Sequence, residues 1–422
     1  MSLRVHLAAA SAVLVAACGL DVGGQLFPPD DAGASDATVP PDGDGAAPDA
    51  AVGDDATGGS DASRGDGGGG GSDGGGGSDG GVGDAGTDGP VSTARKKAIT
   101  FDPAKVGGPL ADFPVWIDLV AADVAARARA DGHDLFFTAQ DGTSLAHAIQ
   151  KWDRATGHLT AWVRVPALTN ASATVIYLRY GDPTGAPAPA PAAVFSSSFV
   201  AVWHLEDALS ATAITEETGT HPGTAVALSP AQQVASKLGG GISFTGGGDQ
   251  ITFTNPLSGA GAHTISSWVS QRATNDNDAL VVLGNASCGQ SRWLHSWFDT
   301  PTIAVGFYCN DWSSPNVDVT SAGWTLLHWV YDAATNQSRL YKNGTLAAGP
   351  YTQTGTAVST QGTGGYIANA PAGWGQNMGA HATLDEIRIA TVARSPQWIS
   401  TEFANQNAPS TFYAVGPEQA AP

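Results

Sequence analysis

LDEIRIATVARSPQWISTEFANQNAPSTFY occupies residues 384–413. Its first part, Leu384–Ala390, is a strand-like run of β-branched and charged residues. Ser395 then stands where a helix cap belongs, and Pro396 takes the first helical position, where its missing N–H costs nothing. In the helix that follows, Trp398, Ile399 and Phe403 fall on one side, so this helix is expected to pack against a sheet. FYAV, residues 412–415, then closes the fold. A last strand, one docked helix and a closing strand end a chain otherwise poor in helical signals.

Working back from there, residues 195–422 hold about a dozen strand-like runs, among them AVWHL, HTISSWVS, ALVVLG, TLLHWVYD and HATLDEIRIA. Asn343-Gly344 between strand-like flanks is a hairpin signal. So many strands without a long helix imply two packed antiparallel sheets. Residues 94–194 show the same habit on a smaller scale. RKKAITF, FPVWIDL, DLFFT, LTAWVRVP and TVIYLRYGDP are separated by GG, DG and TG turns, with AADVAARARADG as one short helix. The fold class is therefore all-β: a small β-sandwich followed by a larger two-sheet domain.

The charge lies elsewhere. Between Gly19 and Ser92 stand fifteen Asp and one Arg (Arg64), so −14 of the formal −20 belongs to this Gly/Asp/Ala-rich stretch. With so few apolar groups, residues 18–93 are expected to be a disordered tether spanning roughly 50 Å or more. All twelve Trp lie beyond it. The single short basic run, Arg95-Lys96-Lys97, gives no nucleic-acid footprint.

Residues 1–17 form a signal segment: a basic start, an apolar stretch too short to span a membrane, then Leu14-Val15-Ala16-Ala17-Cys18-Gly19. This end resembles the lipobox of bacterial lipoproteins. The resemblance implies a lipid anchor on Cys18 and, with Gly19 next, the outer membrane or cell surface of a Gram-negative bacterium. A plain secretory signal is the alternative. Cys288 and Cys309 remain as an even pair in an exported chain, the setting in which a disulfide forms.

If those cysteines bridge a hairpin, opposed residues sum to 597 and the turn falls at Phe298-Asp299. Parity then sends Leu294, Ser296, Phe298, Ile303, Val305 and Phe307 to one face with both cysteines, an apolar core set. Trp293, His295, Trp297 and Tyr308 share the other face with Thr302, Ala304 and Gly306. Large flat rings beside small residues suit a groove for sugar rings, rimmed by Asn310, Asp311 and Trp312. Cover by another part of the chain is the alternative. Trp374, in a Gly/Asn/Pro loop, is a second exposed candidate.

Two family resemblances add to this reading. RKKAITF, Asp112-Phe113-Pro114-Val115, Asp131-Gly132-His133-Asp134-Leu135-Phe136-Phe137-Thr138, AWVRVP and IYLRYGDP resemble a bacterial domain of unknown function (2341 in its series), which implies no known activity. VWHLED, TGTHPGT, GGGISFTGGGDQITF, HTISSWV, HWVYD, RLYKNG and the 384–413 stretch resemble the laminin-G-like branch of the concanavalin A-like jelly rolls. That family implies a sandwich binding sugars or proteins, with Trp268, Trp324 and Trp329 inside. It also implies a structural calcium held by a loop carboxylate and carbonyls together with the Asp of a D-[DE]-[VI]-R strand. The matching positions here are Glu216, Thr218, Thr220 and Asp385, with Glu where the family has Asp. The alternative is that Asp385 caps backbone amides or pairs with Arg388.

Catalysis is not expected. A glycosidase needs two carboxylates ~5–10 Å apart about one bond. Glu206-Asp207, Glu216-Glu217 and Asp385-Glu386 are adjacent pairs, which a regular strand sends to opposite faces. The expected protein is a lipid-anchored surface module that binds glycan, or a matrix or surface protein, without catalysis. A structural envelope or cell–cell contact protein is the runner-up, and a glycoside-processing enzyme comes third.

Overall fold

The computed structural model describes residues 93–421 except 183–185, 272–277, 297–301, 320–322, 355–357, 373 and 375–377. The signal segment, Cys18, the tether up to Ser92 and Trp297 lie outside the described residues.

The first sandwich is built from β1 (Arg95–Phe101), β2 (Leu110–Val120), β3 (Phe136–Ala139), β4 (His147–Asp153), β5 (His158–Leu168) and β6 (Thr174–Tyr180). One sheet is β2-β5-β4, and the other contains β1-β6-β3. Ile99, Phe101, Val115, Ile117, Phe137, Ala161, Val163 and Leu178 fill the space between them. The Asp131–Asp134 motif holds this sandwich together. Buried Asp134 accepts from the Arg129 amide at 2.9 Å and the Gly181 amide at 2.8 Å, tying the loop before β3 to the end of β6.

The fourth strand of the β1 sheet comes from the far end of the chain. Tyr413–Ala420 pairs with β1 antiparallel, from Phe101↔Tyr413 to Arg95↔Ala420. Phe412, Tyr413 and Trp398 enter the first core. The expectation that 195–422 is one domain closed by FYAV is thus corrected: FYAV closes the first sandwich. Strand pairing across more than 300 residues leaves no local sequence signal.

The jelly roll has two eight-stranded sheets. The first, here the junction sheet, runs Gln233–Ala235, Gly240–Ser243, Ala382–Ala390, His263–Gln271, Thr325–Asp332, Gln337–Lys342, Thr345–Thr352, with Phe199–Trp203 also on Ala382–Ala390. The second, the distal sheet, runs Asn310–Asp318, Thr302–Phe307, Ser291–Ser296, Ala279–Gly284, Gly364–Ile367, Gln250–Thr254, Gly223–Val226, Ala213–Ile214. Trp203, Ile265, Trp329, Leu384 and Ile387 from the first share one core with Leu280, Leu283, Leu294, Val305 and Phe307 from the second. The Asn343-Gly344 hairpin forms as expected, with φ of +50° and +80°, the signature of a type I′ turn.

The outer face of the junction sheet is covered. Val202, Trp268 and Leu326 pack on Trp116, Ala148 and Trp162 of the β2-β5-β4 sheet. The helix Pro396–Asn407 is wedged at this boundary, capped by Ser395 as expected. Its apolar residues divide between the two sandwiches: Trp398 packs on Phe113 at 4.8 Å, while Ile399 joins Val330 and Tyr341 of the jelly roll. Thr401, Glu402, Asn405 and Gln406 are buried too, so the helix has more than the single buried side the sequence suggests.

Charge sits at the centre of the boundary. Arg388 bonds Glu386 at 2.7 Å and Glu402 at 3.1 Å, and its guanidinium lies 4.2 Å over the Trp162 ring. His328 and the Trp398 indole both reach the second oxygen of Glu402 at 3.2 Å. The two sandwiches belong to one compact unit.

Candidate functional site

With one face of the jelly roll covered, the opposite face of the distal sheet carries the aromatic candidates. Trp293 pairs with Gly306 and Leu294 with Val305, a sum of 599 rather than 597. A two-residue shift keeps parity, so the face assignment survives. Leu294, Ile303, Val305 and Phe307 are fully buried in the core, and Trp293 lies on the other side. The disulfide Cys288–Cys309 forms, but both cysteines sit exposed in the turns flanking these strands and not on the core face. The expected turn at Phe298-Asp299 lies outside the described residues.

Trp293 is not a groove wall. It is 5% exposed, covered by Trp374 edge-on at 4.8 Å and neighboured by Tyr308 at 6.4 Å. Its indole N–H donates to Asp311 Oδ1 at 2.6 Å. Ala279, Val282, Met378, Tyr366 and Ala370 complete the cluster. The cover is therefore a loop of the same domain, which carries Ala370 and Trp374, and not the first sandwich. Nor does Gly306 leave a hollow: a Cβ there would meet Asp311 Cα at 2.6 Å.

Among the described residues, Tyr308 and Trp374 are two of the rings left partly at the surface. Both are half-buried, stacked at 5.2 Å with 16° between planes, and braced from beneath by Trp293. Burial pushes the Asp311 carboxyl up to about 7, against the Trp293 hydrogen bond that favours its ionised form. Trp312 belongs elsewhere: it sits opposite Val305 and stacks flat on Tyr351 at 5.1 Å, joining the edges of the two sheets. The backbone of His295 pairs opposite Ala304. Trp268 fills the boundary between sandwiches, Trp324 packs at its margin, and Trp329 is in the jelly-roll core.

The calcium candidates are engaged otherwise. Glu216 is buried, and its carboxylate accepts from the amides of Val202, Thr218, Thr220 and His221 and from the Thr218 hydroxyl, all at 2.8–3.1 Å. Five donors saturate its lone pairs. Asp385 instead accepts from Ser236 Oγ and the Leu238 amide at 2.8 Å, the backbone-capping alternative. Burial and the neighbouring Glu386 charge hold its pKa well above the carboxylate range. Among the described residues no three His, Cys, Asp or Glu side chains gather as a metal site. Calcium takes six to eight oxygens, and these residues do not fit it.

Adjacent carboxylates do share a face within a strand, which the strand-parity expectation did not allow. Leu384 and Ile387 both enter the core, so Asp385 and Glu386 both face outward, at a bulge where Glu386 has φ +56°. Glu386 bonds His204 Nδ1 at 2.5 Å. Beyond His204 lies a pocket of about 180 Å³ lined by Glu206, Asp207, Thr215, Glu217 and Gln150. Burial raises the pKa of both Glu206 and Glu217. Asp207 is taken up by the amide and hydroxyl of Thr215. The pocket falls below the roughly 300 Å³ at which small-molecule sites begin. Sequence reasoning missed it because its carboxylates lie in loops, where strand parity does not apply.

Two family models match. A domain of unknown function (DUF2341) matches residues 131–201, and the concanavalin A-like lectin/glucanases superfamily matches 245–400. The two matches follow one another in that order along the chain. The second match stops inside the helix, ahead of the strand that the jelly roll gives up to its neighbour. Among curated proteins none matches. Similar solved structures include the binding domain of Paraclostridial Mosquitocidal Protein 1, 12% identical over 50% of this chain and 52% of that one, TM-score 0.39. Trypanosoma rangeli sialidase is 13% identical over 57% and 42%, TM-score 0.39. Domain 4 of AbnA, a GH43 extracellular arabinanase from Geobacillus stearothermophilus, in complex with arabinotriose, is 16% identical over 49% and 98%, TM-score 0.38. The chain spans about half the length of the first of these. Likeness at this level bears on neither ligand nor activity.

Proposed function

We propose that this chain is a surface-anchored binding protein whose jelly roll takes glycan, without catalysis, on the free face of its distal sheet. One observation carries the reading. Tyr308 and Trp374 form a stacked, half-exposed pair on the face opposite the one the first sandwich covers. Sugar rings present apolar C–H faces, and a fixed aromatic pair is a platform for them. The platform is braced, since Trp374 rests edge-on against Trp293, which in turn is held by Asp311. Anchoring through lipid on Cys18, on the outer surface of a diderm envelope, belongs to the same proposal.

The test is a glycan panel probed with the full chain. Trp374→Ala and Tyr308→Ala should each weaken the bound glycan at least tenfold while the chain stays folded by circular dichroism, Trp374→Ala at a lower melting temperature because it uncovers Trp293. Absence of any glycan ligand, or full binding by both variants, overturns the site and leaves the envelope-contact reading. Cys18→Ala should move the chain out of the membrane fraction.

A further inference from the structure

The disulfide Cys288–Cys309 stands beside the aromatic pair, and both of its cysteines are exposed. It joins two turns of the distal sheet, with 5.0 Å between the Cα atoms. One turn, residues 285–290, leads into the Ser291–Ser296 strand. The other is Tyr308-Cys309, between the paired residues Phe307 and Asn310. The Gly289 amide donates to the Tyr308 carbonyl at 2.6 Å, so the bridge and a hydrogen bond hold the same place.

Cys309 has φ +65°, in the left-handed region. A Cβ is crowded there by the carbonyl that follows, and turns that need this conformation ordinarily use glycine or asparagine. Other residues persist in it where the surroundings over-determine them. The bridge to Cys288 supplies that constraint.

From this turn a closed circuit of contacts runs through the aromatic platform. The Cys309 amide donates to the Asp311 carboxyl. The same side chain accepts from the Trp293 indole at 2.6 Å. Trp293 meets Trp374 edge-on at 4.8 Å, and Trp374 stacks on Tyr308, the chain neighbour of Cys309. A change of backbone at Cys309 therefore reaches Tyr308 through the chain and Trp374 through Asp311 and Trp293.

We propose that this disulfide is a redox latch on the platform: closed, it holds Tyr308 flat against Trp374, and reduction lets the turn relax and weakens glycan binding. The proposal rests on the reading of this pair as the glycan platform. The reductant is a dithiol. One thiolate attacks an exposed sulfur of the bridge and expels the other cysteine; the second closes on the first and releases the remaining cysteine. The bridge gains two electrons and two protons and becomes two cysteine thiols. The dithiol loses the same and becomes a disulfide.

The experiment compares the full chain with and without dithiothreitol, in the absence of denaturant. Capping with iodoacetamide and peptide masses score the bridge. Both Cys288 and Cys309 should be capped after reduction. Far-UV circular dichroism should stay as in the oxidised chain, while the near-UV tryptophan and tyrosine bands change. Affinity for the glycan found with the panel should fall at least fivefold and return on reoxidation. Cys288→Ser/Cys309→Ser should behave as the reduced chain and ignore the reductant. Cys288→Ser/Cys309→Gly places at the turn a residue at home at positive φ. It should recover most of the near-UV signal and of the affinity without a bridge. The near-UV bands need no ligand, so an oxidised chain that binds no glycan removes the platform reading and still leaves the hold on Tyr308 decided. Capping only in urea, loss of the far-UV signal on reduction, unchanged near-UV bands, or unchanged glycan affinity in the reduced chain would overturn the proposal.

Discussion

Asn405 closes its side-chain amide on the backbone of Trp116 as a neighbouring strand would. Its Oδ1 accepts from the Trp116 amide at 2.7 Å, and its Nδ2 donates to the Trp116 carbonyl at 2.9 Å. Two residues on, Tyr413 OH meets both the amide and the carbonyl of Asp118, at 2.7 and 2.8 Å. β2 is an edge strand with β5 on its other side. An open edge of this length exposes unpaired backbone groups to other chains. Here the edge is covered by side chains from the end of the polypeptide. Asn405→Ala leaves a buried donor and acceptor unmet, and should cost about 2–4 kcal/mol. Urea unfolding of the variant beside the parent measures it. A loss below about 0.5 kcal/mol would mean that water replaces the amide.

The same dependence extends to the last strand. Removing residues 409–422 takes Phe412 and Tyr413 from the first core and leaves β1 unpaired on one side. The first sandwich should then fail to fold, while the jelly-roll core, which contains no residue beyond Ile389, should persist. Limited proteolysis followed by mass measurement would show a protected fragment confined to the second domain. Protection of residues 95–180 in the truncated chain would contradict this.

What the sequence made legible follows from range. Alternation within a strand is local, so Leu294, Ile303, Val305 and Phe307 were assignable to the core even with the register two residues off. The Asn343-Gly344 turn and the Ser395 cap are likewise local. The destination of FYAV is not, because strand pairing leaves no mark on a distant partner. Trp293 was correctly placed on the non-core face, but its cover by Trp374 depends on a loop some eighty residues away. Glu386 shows a third kind of limit. Parity assumes a regular strand, and one residue with positive φ puts two neighbours on the same side.

Arg388 at the domain boundary should tolerate no replacement easily. Arg388→Ala strands the carboxylates of Glu386 and Glu402 in the interior and should cost about 3–5 kcal/mol. Arg388→Lys keeps the charge but cannot fork between two carboxylates or lie flat over Trp162, so it should also be destabilising. Acid sensitivity has the same source. Burial alone would raise the pKa of Glu402, but the His328 hydrogen bond and the charges of His328, Arg388 and Arg394 bring it down to about 2. A depressed folded pKa adds stability above the unfolded value of about 4.3, lost as pH falls from there towards 2. Melting temperatures from pH 6 to pH 2 should drop across that window. The drop should be shallower in Glu402→Gln, measured from its own lower starting point.

Asp311 should act in the opposite sense. Burial raises its carboxyl to about 7, against an unfolded value of about 3.9. Between those values the folded chain holds a proton that the unfolded chain has lost. Stability therefore falls as pH rises from about 4 to about 7, and levels off above. Asp311→Asn keeps an oxygen to accept from the Trp293 indole and cannot ionise. The variant should melt higher than the parent at pH 8, and the difference should shrink towards pH 4. The indole hydrogen bond also links this titration to the platform, since Trp293 supports Trp374 from beneath. Glycan binding at Trp374 should then change less with pH in Asp311→Asn than in the parent. A parent whose melting temperature rises between pH 4 and pH 7, with no difference from Asp311→Asn, would mean that the carboxyl is already ionised in the folded state.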